Sequence, residues 1–293
     1  MTDLTAVPVA VAGTVRHPLT AVLRSRSGLV GIVITGLLLV VGVLSLTGAL
    51  PYDAVAQDPV HRLAAPSGAH WFGTDQFGRD VFSRVAAGVA NSSLIAVVAV
   101  SFATIVGTAG GLVGGFFRRL PDALIGGLTN ILFAFPPLLL ALSLASVFTR
   151  TWFTVAVAIA VVYVPIFVRV TRGPVLSLRE VEFVRAATST GESRTVVMLR
   201  HVLPNLTSIL VVQIALSLSW AVLTEASLSF LGLGTPPPAP SLGSMIFESR
   251  TLVSIAPWTM AAPGVVVVLL VVGLNLLGDG LRDVLDPRNR GAR

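Results

Sequence analysis

Two histidines nine residues apart, His61 and His70, stand among Asp53, Asp58 and Asp75 in a polar stretch of this 293-residue sequence. Imidazole with carboxylate is a donor set that binds divalent metals. The spacing matches no ligand motif, and scattered loop His and Asp residues are ordinarily just solvated, so no metal site is expected. The sequence has no G-x-x-x-x-G-K-[ST] phosphate loop, no H-E-x-x-H, and no Ser, His and Asp set at one compatible depth. Zero cysteines exclude disulfides, thiolate metal sites and a cysteine nucleophile. Glu225 sits toward one end of a long apolar stretch, where an ionisable group is a functional candidate by default. It lies far from the midplane where proton-coupled carriers place such groups, and reads as a packing group near the interface or as the lining of a vestibule. The chain reads as non-enzymatic.

The elements that carry these residues are dictated by hydropathy. Apolar residues make up 54% of the chain, charged residues only 12%, and the mean hydropathy is +0.87. A soluble domain has about 25% charged residues, so a soluble enzyme, a disordered chain and a coiled coil are all excluded. The net charge of +6 is no nucleic-acid signal, because all twenty basic residues are Arg and they gather at the ends of apolar runs. Six runs approach the ~20 residues needed to cross a bilayer, at 28–50, 91–117, 123–147, 152–168, 205–230 and 255–277. The alternation of a membrane β-barrel is absent. The expected fold is an all-α polytopic membrane protein with six transmembrane helices. The first run is longer than a signal-peptide core, so it is expected to be retained.

Placing both termini in the cytoplasm puts fifteen Arg inside and five outside, the bias of a multi-pass cell-membrane protein oriented by its positive loops. Trp152 and Trp258 then fall at outer helix ends, where indole prefers the headgroup layer. The chain divides into a cytoplasmic segment 1–27, a first transmembrane helix 28–50, an outer loop 51–90 and a five-helix core 91–278. That core has a cytoplasmic loop at 171–204 and an outer loop at 232–254, and a cytoplasmic tail 279–293 follows.

The inner loop is the most charged part, with Val181, Val184, Val196, Val197 and Leu199 interleaved with Arg and Glu. That pattern predicts short amphipathic surface helices divided by Gly191. The run GTAGGLVGG (Gly107, Gly110, Gly111, Gly114, Gly115) invites close helix packing within the chain. Pro136 and Pro137 remove two backbone donors and predict a kink, beside Phe133 and Phe135, that suits a gate or a static bend. Arg169 is expected to end the fourth span and snorkel to the inner headgroups.

Four stretches together resemble one family, the C-type inner-membrane subunit of dipeptide, oligopeptide and nickel ATP-binding-cassette importers. They are GTDQFGRDVFSRVAAG at 73–88, FVRAATSTGESRTVVMLRHVLPN at 183–205, EASLSFLGLGTPPPAPSLGSM at 225–245 and LNLLGDGLRDVLDPR at 274–288. The second is similar to the permease pattern E-A-A-x3-G-x9-I-x-L-P. Ala186, Ala187, Gly191, Leu203 and Pro204 fit it, Arg185 stands where Glu is usual, and His201 stands where Ile is usual.

The resemblance implies the type I importer permease fold and a coupling segment, carried here by Arg185, Ala186, Ala187, Gly191, His201, Leu203 and Pro204, that docks on an ATPase. It implies a homologous second permease subunit, two ATPase subunits or domains, an extracytoplasmic substrate-binding protein and a peptide cargo. ATP and Mg would be held by the ATPase partners and no cofactor by this chain; nucleic acid is not an expected partner. Phe133, Phe135, Pro136 and Glu225 are the candidates for gate or pathway. Rival readings are a nickel or other small-ligand cargo, and an ion-coupled secondary carrier.

Overall fold

In a bilayer every backbone N–H and C=O must be satisfied within the protein, and a chain this apolar answers with helices. The computed structural model describes residues 22–285 apart from Arg24 and Arg118, and among them there is no strand beyond one isolated bridge, Thr74 to Asp80. The helices are α1 (Arg26–Leu46), α2 (Val81–Phe116), α3 (Leu120–Phe133), α4 (Pro137–Val147), α5 (Trp152–Leu178), α6 (Glu182–Ser189), α7 (Arg194–Phe230), α8 (Leu242–Ser249) and α9 (Trp258–Leu285). Five of them, α1, α2, α5, α7 and α9, are each long and apolar enough to cross a membrane; α3 with α4 makes a sixth span if the bent pair counts as one. Most of the segment 1–27 and the last residues of the tail 279–293 lie outside the described residues.

Several boundaries differ from expectation for one reason. Spans read from charge-free windows stop at the first Arg, but the helices themselves continue through Arg residues. Thus α2 starts at Val81 inside the expected outer loop, with Asp80 capping it by accepting from the Ser83 N–H at 2.8 Å. Helix α5 continues past Arg169 to Leu178, and on this extension Arg172 forms a bidentate pair with Asp122 of α3 at 2.6 and 2.9 Å. Arg169 lies over the Phe133 ring at 4.1 Å instead of ending the helix.

The expected kink in the third span is a break. Helix α3 ends at Phe133, Pro136 is extended (φ −56, ψ 128), and α4 leaves at 92°. A proline disfavours helix in the residue before it, and here two follow in succession, so the ladder stops rather than bends.

Lipid supplies no hydrophobic drive between helices, so close backbone approach does the work. The glycine row of α2 packs on α5 within this chain: a Cβ on Gly111 would lie 2.5 Å from Thr171 Cβ, and one on Gly115 2.8 Å from Val175 Cβ. Gly107 meets Phe167 in the same way. Around that seam Ile95, Ala99, Ile159 and Phe167 are fully buried, while Leu206, Leu228 and Leu270 extend the core into α7 and α9. Helix α1 lies against α9 and α2, and the short α8 fills the notch between α7 and α9.

Candidate functional site

The segment between α5 and α7 is built around α6. Val184 is buried and Ala187 half-buried against the core, so α6 is anchored there, while Phe183 and Ala186, about a quarter-turn round the helix, are exposed. The small residue available to an outside partner is therefore Ala186; Ala187 serves packing within the chain. Helix α6 ends in a Schellman turn, in which the Glu192 N–H donates to the Ala187 carbonyl at 3.3 Å and the Gly191 N–H to the Thr188 carbonyl at 3.2 Å. Gly191 takes φ +89, a conformation that costs other L residues about 1–2 kcal/mol.

Both departures from the usual permease pattern have local partners. Arg185 Nη2 lies 2.5 Å from Glu180 Oε2, and the same carboxylate lies 3.2 Å from Arg179 Nε. Arg179 Nη1 also donates to the Gly115 carbonyl at 2.8 Å, tying this segment to the end of α2. His201 Nε2 lies 2.9 Å from Glu192 Oε2, so the imidazole braces the turn that Gly191 opens. An Ile at 201 could not.

The second half of the loop is not the separate surface helix expected. Residues from Arg194 onward are the first turns of α7, with Val197 and Val202 fully buried. Leu203 is half-buried against the core and Pro204 is exposed within the continuous helix, rather than starting it. Pro204 lacks the N–H that would bond the Arg200 carbonyl. The helix accommodates this by widening to a π-turn over Val197–Val202, where the Leu203 N–H reaches back to Met198.

At the other end of the molecule the stretch 73–88 forms a clamp that sequence reasoning missed. Asp75 Oδ1 accepts from the N–H groups of Phe77 and Arg79 at 2.8 and 3.0 Å, and Asp75 Oδ2 accepts from Arg79 Nε at 2.6 Å. Arg79 and Arg84 both reach Glu248 Oε2 on α8, at 3.0 and 3.1 Å. Trp258 Nε1 donates to the Thr74 carbonyl at 3.2 Å, closing the clamp on α9. The Asp75 to Arg79 spacing was the available signal; Glu248, far along the chain, could not be paired from sequence.

Among the described residues no group of three or more His, Cys, Asp or Glu side chains converges on a metal position. His61 lies 2.6 Å from Asp58 and His70 2.9 Å from Asp80, beside an open cavity of about 450 Å³. The His61 contact holds the Asp58 carboxyl below the usual carboxylate range. Phe133 and Phe135 are partly exposed at the corner made by Pro136. Glu225 has no exposure; its Oε1 accepts from Ser229 Oγ at 2.6 Å and its Oε2 has no hydrogen-bond partner. In this conformation Glu225 faces packing rather than an open vestibule.

Residues 103–291 match the family described as "Binding-protein-dependent transport system inner membrane component". The chain is 41% identical over 266 residues to the dipeptide transport system permease protein DppC of Alkalihalophilus pseudofirmus, covering 90% of this chain and 87% of that protein. It is 39% identical over 240 residues to the glutathione transport system permease protein GsiD of Pectobacterium atrosepticum, covering 82% and 80%. A chain of the methionine ABC transporter MetNI, solved in inward-facing conformations, shares the fold with a TM-score of 0.57 at 18% identity. That likeness covers 69% of this chain and 96% of that one.

Proposed function

The chain belongs to the inner-membrane components of binding-protein-dependent transport systems, the permease subunits of ATP-binding-cassette importers, and from that premise we propose that it forms half of a pathway for short peptides. As a permease subunit it is not itself an enzyme. A homologous permease subunit completes the pathway, two ATPase subunits or domains bind ATP and Mg on the cytoplasmic side, and an extracytoplasmic binding protein delivers cargo. Both termini and the α6 segment face the cytoplasm, as the Arg distribution favours. One observation supports the coupling role: α6 is held by Val184 and Ala187 while Phe183 and Ala186, about a quarter-turn round the helix, stand uncovered. A helix fixed along one edge and free along the next can carry motion from a docked ATPase into α5 and α7.

The peptide cargo is supported by the similarity to the dipeptide permease over nine-tenths of the chain. The similarity to the glutathione permeases keeps that tripeptide in the same class. The test is uptake by the complete complex in proteoliposomes, offered dipeptides, glutathione and nickel chelates in parallel. ATP-dependent uptake of a peptide is the expected result. Uptake confined to nickel chelates would reject the cargo, and uptake driven by an ion gradient without ATP would reject the whole reading.

A further inference from the structure

Helix α7 carries a face, exposed at 209, 220 and 223 and half-exposed at 213, 216 and 227, on which these residues recur at intervals of four and three. If that face met lipid it should be aliphatic throughout, as it is at Ile209, Leu216 and Leu223. Gln213, Trp220 and Ser227 break the pattern. Gln213 is thirteen residues beyond Arg200 and seventeen before Phe230, which places it about 20 Å from one charged end and about 25 Å from the other helix end, well inside the hydrocarbon layer.

Its amide is half-exposed, with Nε2 donating to Ser217 Oγ at 3.1 Å and no partner for Oε1 among the described residues. Trp220, two turns on, is 59% exposed and its indole N–H has no partner among the described residues. Beside it Thr224 Oγ1 donates to the Trp220 carbonyl at 2.8 Å and lies 3.3 Å from the Tyr163 hydroxyl of α5, which carries the polar strip onto a second helix. An unsatisfied amide and an unsatisfied indole facing acyl chains each cost free energy that a water-filled path removes.

We propose that the Gln213 and Trp220 face of α7 lines the translocation path and hydrogen-bonds the amide backbone of the cargo in transit. The inference rests on the importer reading and adds a selectivity to it. No ionisable side chain stands on this face, so passage along it is indifferent to the net charge of the cargo. Gln213 offers a donor and an acceptor to any peptide bond, and Trp220 offers a flat apolar wall with one donor.

The absence of cysteine makes the test direct. Gln213→Cys and, as a control, Leu37→Cys are each placed in the complete complex in permeable proteoliposomes and treated with a charged methanethiosulfonate. Leu37 is 64% exposed on α1, on an aliphatic surface suited to lipid. Position 213 should react at least about tenfold faster than position 37, and a bound peptide should slow it. Equal, slow reaction at both positions would overturn the proposal, because it would put Gln213 against lipid or inside the interface with the second permease subunit. In transport, Gln213→Glu should favour cationic over anionic dipeptides by about tenfold, the direction a carboxylate in a low-dielectric path imposes. Unchanged charge preference would count equally against it. Labelling needs no transport, so wild-type complex that carries no peptide would sink the cargo reading while leaving the pathway result legible.

Discussion

Arg84 Nη2 lies 3.1 Å from Glu248 Oε2, joining the first turn of α2 to α8 across 164 residues of sequence. Arg84 is 1% exposed, and among the described residues its charge is matched by Glu248 and by Asp75, 3.4 Å from its Nε. Two guanidinium groups, Arg79 and Arg84, share two carboxylates there, so the junction is neutral as long as all four are present.

Removing one carboxylate should leave an uncompensated buried cation, which typically costs about 3–5 kcal/mol. Glu248→Ala is therefore expected to lower the thermal unfolding temperature of the detergent-solubilised protein markedly and to loosen α8. Asp53→Ala, on an exposed loop residue, should leave it unchanged. Equal unfolding temperatures for the two variants would show that the junction carries no stability.

The α2–α5 seam makes a steric prediction. Gly111→Ala places a methyl 2.5 Å from Thr171 Cβ and 2.7 Å from the Val168 carbonyl, so the helices must separate, at about 1–3 kcal/mol. Gly126→Ala on α3 meets nothing within 4 Å and gains helix propensity of up to about 1 kcal/mol. Thermal unfolding should therefore move down for the first and stay or rise for the second.

Coupling is tested at Ala186 rather than Ala187. Ala186→Asp changes an exposed position, so membrane abundance should hold while transport and cargo-stimulated ATP hydrolysis fall. A misfit of about 1–3 kcal/mol in a docking cleft, at 1.4 kcal/mol per decade, predicts a loss of one to two decades. Ala187→Asp puts a charge against the core and should lower abundance itself. Full transport by Ala186→Asp at normal abundance would mean that α6 is not the docking element.

Orientation follows from single thiols in a protein that has none of its own. A membrane-impermeant reagent applied to intact cells should label Ser67→Cys and spare Ser193→Cys. Both positions are exposed in the structure, so access depends only on the side of the membrane. The reverse pattern would invert the assignment of α6 to the cytoplasm.

Sequence alone determined the membrane class, the helical fold, the number of spans to within the broken one, and the permease family. Each of these depends on local properties: hydropathy over about 20 residues, Arg placement, and motifs read along the chain. Where helices end was decided by caps and by tertiary partners that a charge-free window does not register. On the stretches where α5 and α2 run past the expected limits, Arg172 meets Asp122, fifty residues away, and Arg84 meets Glu248. The face each residue presents was decided in the same way. Ala186 and Ala187 are neighbours in one motif, yet the core covers one and leaves the other free. Glu225 read from its position as either a packing group or a vestibule lining, and its complete burial follows from packing that no local pattern encodes. Gln213, a neutral amide, escaped a search for charges; only its place on an exposed face deep in the hydrocarbon layer gives it meaning.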